Sequence, residues 1–202
     1  MKLKRKDMPK LYSPFVRKEI DGEYIVTDEI TSGYNWVFDD PSVMCTEKLH
    51  GTNVSIVIEH GQIAEIYNRT ERIPIINKGK SHITMGILES FRRGYIDFLG
   101  DGQHFGELLG PKVNGNPYKL DTYLWIPFGD YVQKHLRYRS WGKYPTDFDT
   151  ISHWFEKDLF SLFNSMRRTG STFVEGVVFV HPDGRMAKLR RDMFSWYTGR
   201  RH

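Results

Sequence analysis

Cysteine is nearly absent from this 202-residue chain: Cys45 stands alone. A single thiol excludes an internal disulfide and any cysteine-built zinc site, and it fits a reducing compartment. The eight histidines are scattered singly, without paired metal-ligand spacing. Long apolar runs are missing too. No stretch approaches the roughly 20 apolar residues that a spanning helix requires, so no membrane partner is expected. The opening Met1-Lys2-Leu3-Lys4-Arg5-Lys6 has no apolar segment behind it, as a secretory signal would need. The expected location is therefore cytoplasmic, for a cellular or a phage-encoded protein. Internal repeats, low-complexity segments and Pro/Gly/Ser linkers are lacking as well, so residues 1–202 read as one domain.

What is present is an ordinary globular composition, with 39% hydrophobic, 14% aromatic and 27% charged residues. The net charge is +4 and the pI about 9.0. Basic clusters at Lys2 to Lys6, Lys188 to Arg191 and Arg200-Arg201 point to a polyanionic partner. Taken in isolation, basic runs at chain ends more often read as solvated tails.

The pattern along the chain is α+β. After a loop-rich start, Asn53 to Ile58 and Gln62 to Tyr67 read as strands of a hairpin around His60-Gly61. Ser81 to Leu99 reads as a helix with Ile87, Leu88, Phe91, Tyr95 and Phe98 on its apolar face, Ser81 as cap and Gly100 as stop. A second helix is expected from the pattern Ile151, Trp154, Phe155, Leu159, Leu162, Phe163, Met166, ending in Arg167-Arg168 and Gly170. Phe105 to Leu109 and Thr122 to Phe128 are strand candidates around a Gly/Pro/Asn-rich loop from Gly110 to Pro117. Thr172 to Val180 and Arg185 to Arg190 flank the turn His181-Pro182-Asp183-Gly184 and predict another hairpin.

Thr46-Glu47-Lys48-Leu49-His50-Gly51-Thr52-Asn53 places a lysine just ahead of a glycine and a strand. A lysine amine attacks an electrophilic phosphorus only as the neutral base, so desolvation or neighbouring cations must lower its pKa. Gly51 lets the backbone approach a ligand closely, and Thr52 and Asn53 offer short polar groups beside it. Taken alone, Lys-x-x-Gly is common by chance, and a solvated surface lysine is the plain alternative.

The order of the downstream segments carries more. Asn68-Arg69-Thr70, Phe105-Gly106-Glu107-Leu108, Trp125 to Phe128, Val174-Glu175-Gly176-Val177-Val178 and Ala187-Lys188-Leu189-Arg190 follow Lys48 in turn. In this order the chain resembles the covalent nucleotidyltransferases, comprising polynucleotide ligases and capping enzymes, through their motifs I, Ia, III, IIIa, IV and V. Within them, Glu-Lys-x-His-Gly-Thr-Asn is similar to the RNA ligase 2 branch, which includes the RNA-editing ligases. DNA ligases and capping enzymes usually carry Lys-x-Asp-Gly, so His50 discriminates. The resemblance covers roughly Thr46 to Arg190.

It implies a ligase-type adenylyltransferase domain, with antiparallel sheets and flanking helices in an ATP-grasp-like arrangement, using ATP and Mg2+ (Mn2+ as a substitute). Lys48 would be the nucleophile. Glu47 would accept from the adenine amine, His50 and Asn53 would act around the phosphates and the RNA end, and Arg69 would grip a phosphate. Glu107 would accept from the ribose hydroxyls, and Phe128, or else Trp125, would stack on adenine. The family often has an aspartate directly after this phenylalanine, whereas here Gly129 precedes Asp130. Glu175 would hold the metal. Lys188 and Arg190 emerge on one face of a strand and would neutralise phosphates, with Arg190 where the family usually has a second lysine.

The implied activity is ATP-dependent sealing of 5′-phosphate and 3′-hydroxyl RNA ends, in a nicked duplex or at single-stranded ends. The alternatives are a DNA ligase, a GTP-dependent capping-type enzyme, or a noncatalytic nucleotide- or RNA-binding module. Only Arg191 to His202 follow motif V, too few for an OB-fold, so a stand-alone catalytic core assisted by an accessory protein or by its own basic surface is expected.

Overall fold

Two Gly-containing dipeptides set the local geometry of two hairpins. Asp21-Gly22 (φ 51° and 79°) and His60-Gly61 (φ 53° and 72°) all take positive φ, as the type I′ turns of two-residue hairpins require. A computed structural model describes residues 5–76 and 79–201. Lys2 and Lys4 of the N-terminal basic run lie outside the described residues.

In chain order the first elements are β1 (Phe15–Ile20), β2 (Glu23–Ile30), α1 (Trp36–Asp39), β3 (Met44–Lys48), β4 (Thr52–Glu59) and β5 (Gln62–Asn68). Then come β6 (Glu71–Arg72), α2 (Ser81–Arg92), β7 (Gly102–Leu109), β8 (Leu124–Pro127) and α3 (Asp130–His135). The last are α4 (Phe148–His153), α5 (Leu162–Arg167), β9 (Gly176–Val180) and β10 (Met186–Arg190). The architecture is mixed α and β with antiparallel sheets. Residues group into two compact units, Met1–Pro9 with His50–Lys134, and Lys10–Leu49 with His135–His202.

The first unit is built on a five-stranded sheet in the order β6-β5-β4-β7-β8. Its core gathers Val54, Ile56, Ile58, Ile66, Ile83, Ile87, Leu108 and Trp125. The Asp101 carboxylate accepts from the amides of His60 and Gly61, both at 2.9 Å, and so braces the hairpin turn.

The helix expected to run to Leu99 ends at Arg92, and Gly94 (φ 71°) turns the chain away. Its buried residues are Ile83, Gly86, Ile87 and Ser90, while Leu88 and Phe91 are each 60% exposed and Phe98 49%. Small residues decide this face. A Cβ at Gly86 would collide with Leu108 Cδ1, and Ser90 Oγ accepts from Trp125 N at 2.8 Å, so the helix approaches β8 on positions that a hydrophobicity pattern reads as gaps.

The second unit holds the hairpin β1-β2 and a three-stranded sheet ordered β10-β9-β3. The stretch expected to be loop-rich is therefore largely strand, because charged Arg17, Lys18 and Glu19 occupy a β1 whose later residues face solvent. Phe15, Val26, Cys45, Phe155, Phe179, Leu189 and Phe194 form the core. Cys45 is fully buried, and burial pushes its thiol well up from the ordinary value.

The expected single helix over 151–166 is broken. α4 passes into a π-helical turn, Trp154–Asp158, and Ser161 then caps α5 by accepting from Asn164 N at 3.1 Å. The left-handed residue that ends α5 is Arg168 (φ 56°), two positions before Gly170. Nor is the basic C-terminus a solvated tail throughout. Arg201 donates to the carbonyls of Asp192 (2.6 Å), Phe194 (2.9 Å) and Tyr197 (2.8 Å) and pairs with Glu23.

His181 lies between Asp40 (2.9 Å) and Asp183 (2.8 Å). These partners, Asp40 foremost, raise its pKa from the ordinary 6.5. Folding therefore favours the protonated ring. That contribution to stability is complete below about pH 6.5 and is lost as the pH rises through the raised folded value. His181→Gln is expected to flatten the dependence of the urea midpoint on pH above about 6.5; an unchanged slope would refute the assignment.

Candidate functional site

The register of the three-stranded sheet assembles one set of residues. Gly176 in the central β9 pairs with Lys48 on one side and with Arg190 on the other, and Val178 pairs with Thr46 and Lys188. Directly paired residues share a face, and so do residues two apart on a strand. Lys48, Lys188 and Arg190 consequently rise from one face, with the side-chain-free Gly176 between Lys48 and Arg190. With strands spaced ~4.8 Å apart, those two backbones stand about 10 Å from each other. No larger residue fits at 176, since a Cβ there would collide with the Leu189 carbonyl oxygen.

Charges on this face are compressed. Lys48 Nζ lies 2.7 Å from Glu175 Oε2, with side chains 22% and 17% exposed. Arg190 Nε lies 3.1 Å from Asp192 Oδ1. The Lys188 amine is held below the usual lysine range, first by burial and then by Arg190 and Lys48, against which Glu175 pulls upward. Such a cluster of partly desolvated cations has the charge and the geometry that suit a phosphate group.

Glu47 points the other way, as its alternation with Lys48 dictates. It is 2% exposed, and its oxygens accept from Ser161 Oγ at 2.7 Å and Phe163 N at 2.9 Å. The carboxylate thus sits on the N-terminus of α5, where the orphan amides and helix dipole favour an anion.

In the first unit, Asn53 pairs in register with Glu107. Glu107, 8% exposed, accepts from Gly51 N at 3.0 Å. Asn114 Nδ2 donates to Gly51 O at 2.6 Å, and His50 N donates to Tyr118 Oη at 2.9 Å. The turn after Lys48 is therefore clamped from three sides. Asn114 and Tyr118 come from or border the Gly/Pro/Asn-rich loop, and loop composition of that kind gives no signal for these two residues in particular. Asn53 Oδ1 is buried with no partner among the described residues, an acceptor that a ligand's donor would satisfy.

Arg69 takes a left-handed φ of 56°, and its side chain is 65% exposed, with the guanidinium 3.8 Å from the Asp7 carboxylate. Phe128 is half-buried, its amide donating to Phe105 O at 2.8 Å. Trp125 is wholly buried, with its indole donating to Val54 O at 3.0 Å, which makes it a core residue.

No protein-family model matches this chain, and no curated protein matches it. Among solved structures it is similar to the Naegleria gruberi RNA ligase with PPi, at TM-score 0.52 and 15% identity, over 91% of this chain and 61% of that one. A variant of that ligase with AMP and Mn is similar at TM-score 0.50 and 14% identity, over 93% of this chain and 62% of that one. The fold is RNA ligase-like. The chain spans about three-fifths of the ligase's length.

Within this RNA ligase-like fold, no group of three or more His, Cys, Asp or Glu among the described residues could make a protein-only metal cage. Glu175 fits the hard-cation mode instead, in which one or two carboxylates hold magnesium together with phosphate oxygens and water. No described helix is long and apolar enough to cross a membrane.

Proposed function

We propose that this chain is the ligase-type, ATP-grasp-like adenylyltransferase core of an ATP-dependent RNA ligase, with Lys48 as its nucleophile. The observation that carries the reading is the row Lys48–Gly176–Arg190, flanked by Lys188 and with Glu175 on the Lys48 amine.

In the first step Lys48 Nζ forms a bond to the α-phosphorus of ATP while the bond to pyrophosphate breaks. The ammonium must first give up a proton and its ion pair with Glu175, 2.7 Å away. AMP then passes to an RNA 5′-phosphate, and a 3′-hydroxyl displaces it to form the phosphodiester. Lys188 and Arg190 neutralise phosphate charge, largely by fixed electrostatics. Glu175, with phosphate oxygens and water, would hold magnesium or manganese, which supplies further charge neutralisation. In the first unit, Asn53, Arg69, Glu107 and Phe128 would contact nucleotide, and His50 would act after lysine adenylylation. Glu47 is left out of nucleotide contact, because both oxygens serve α5.

The test is incubation with α-labelled ATP or GTP and magnesium. Label from ATP should stay on the protein, be absent in Lys48→Ala, and chase onto 5′-phosphorylated RNA. Label from GTP alone would favour a capping-type reaction, transfer only to nicked DNA a DNA ligase, and RNA binding without any label a noncatalytic module.

A further inference from the structure

The second unit contains a cavity of about 410 Å³ bordered by residues 140–158, with Trp141, Tyr144, Thr150, His153, Trp154 and Asp158 in its wall. It is distinct from the Lys48 face. Trp141 packs on Phe179 with ring centroids 4.7 Å apart, and Phe179 alternates with Val178, so it lies on the side of β9 away from Lys48. The Trp141 and Trp154 rings stand 6.2 Å apart, tilted by 33°, and Tyr144 beside them is 70% exposed.

The volume lies in the range of small-molecule pockets. Its wall offers flat aromatic surface, with the hydroxyl, imidazole and carboxylate of Thr150, His153 and Asp158 for hydrogen bonds. The surrounding stretch adds a second signal. Residues 139–144 place Arg139 and Lys143 around Trp141 and next to Tyr144 and contain no Asp or Glu. Arg139 and Lys143 are exposed, whereas Arg137 bridges Thr46 and so belongs with the Lys48 face. Aromatic platforms alternating with cations suit a ligand that is flat and apolar in one part and anionic in the next, which describes single-stranded nucleic acid. A neutral apolar ligand would leave both cations unused.

We propose that this cavity receives an unpaired base of single-stranded RNA, stacked against Trp141, Tyr144 and Trp154, with Arg139 and Lys143 neutralising the adjoining phosphates. The choice of RNA over DNA rests on the ligase reading; the stacking and the charge complementarity do not.

Fluorescence anisotropy of a short labelled oligoribonucleotide, without ATP or metal, tests this independently of Lys48. Tyr144→Ala and the double variant Arg139→Ala/Lys143→Ala, all at exposed positions, are each expected to weaken single-strand binding about tenfold. Only the charge variant should also flatten the salt dependence. Tyr144→Ala should leave binding of a blunt duplex and labelling by ATP unchanged. Equal binding by wild type and Tyr144→Ala would overturn the proposal. So would displacement of the strand by AMP at matching concentration, which would make the cavity a free-nucleotide site. DNA bound as tightly as RNA would overturn the choice of RNA.

Discussion

Lys48→Arg is expected to keep the fold and the charge of the β3–β9–β10 face while abolishing nucleotide transfer to the protein. Arginine at 48 retains a cation opposite Glu175, whose carboxylate lies 2.7 Å from the native amine, so the melting temperature should stay within a few degrees of wild type. Its guanidinium is never deprotonated in proteins, whereas attack on phosphorus needs a neutral nitrogen. Loss of a sole nucleophile typically costs on the order of 10⁴-fold or more, which takes label from α-labelled ATP down to background. Label persisting on a folded Lys48→Arg protein would place the nucleophile elsewhere.

Glu47→Ala is expected to cost about 3 kcal/mol of stability with no specific defect in ATP recognition. The residue is 2% exposed and accepts from Ser161 Oγ and Phe163 N. Hydrogen bonds to a charged group contribute roughly 1.5–3 kcal/mol each, and buried donors left unmet add a desolvation penalty. Glu47→Gln keeps one acceptor oxygen but turns an amide group toward a donor, so about half that loss follows. Urea unfolding reads both variants. If instead Glu47→Gln unfolded at the wild-type midpoint and raised only the KM for ATP, a direct contact with adenine would be restored.

These residues also show which parts of the fold were legible in the sequence. The hairpin at His60-Gly61 could be read because a two-residue turn with both φ positive has a narrow set of residues. Asp21-Gly22 carries the same signal, but the charged β1 around it hid the strand. Lys188 and Arg190 could be placed on one face from their spacing alone. Gly176 could not be given its place between Lys48 and Arg190, because cross-strand register brings together positions more than a hundred residues apart. Glu47 was misleading for a related reason: its hydrogen-bond partners lie 114 and 116 residues away, so adjacency to Lys48 was all that the local sequence offered. Gly86 and Ser90 on α2 and Ser161 before α5 defeated helix patterning, since a hydrophobicity period gives no weight to close backbone approach or to a cap that breaks a helix.

The buried sulfur of Cys45 has a practical corollary. With the chain's sole thiol fully enclosed and its ionisation suppressed by burial, thiol-directed reagents have nothing to modify in the native protein. A cysteine introduced at an exposed position such as 144 would then be a unique chemical address. A photo-crosslinker attached there would read out the strand lying over the aromatic cavity nucleotide by nucleotide, with no need to strip a background of native thiols first.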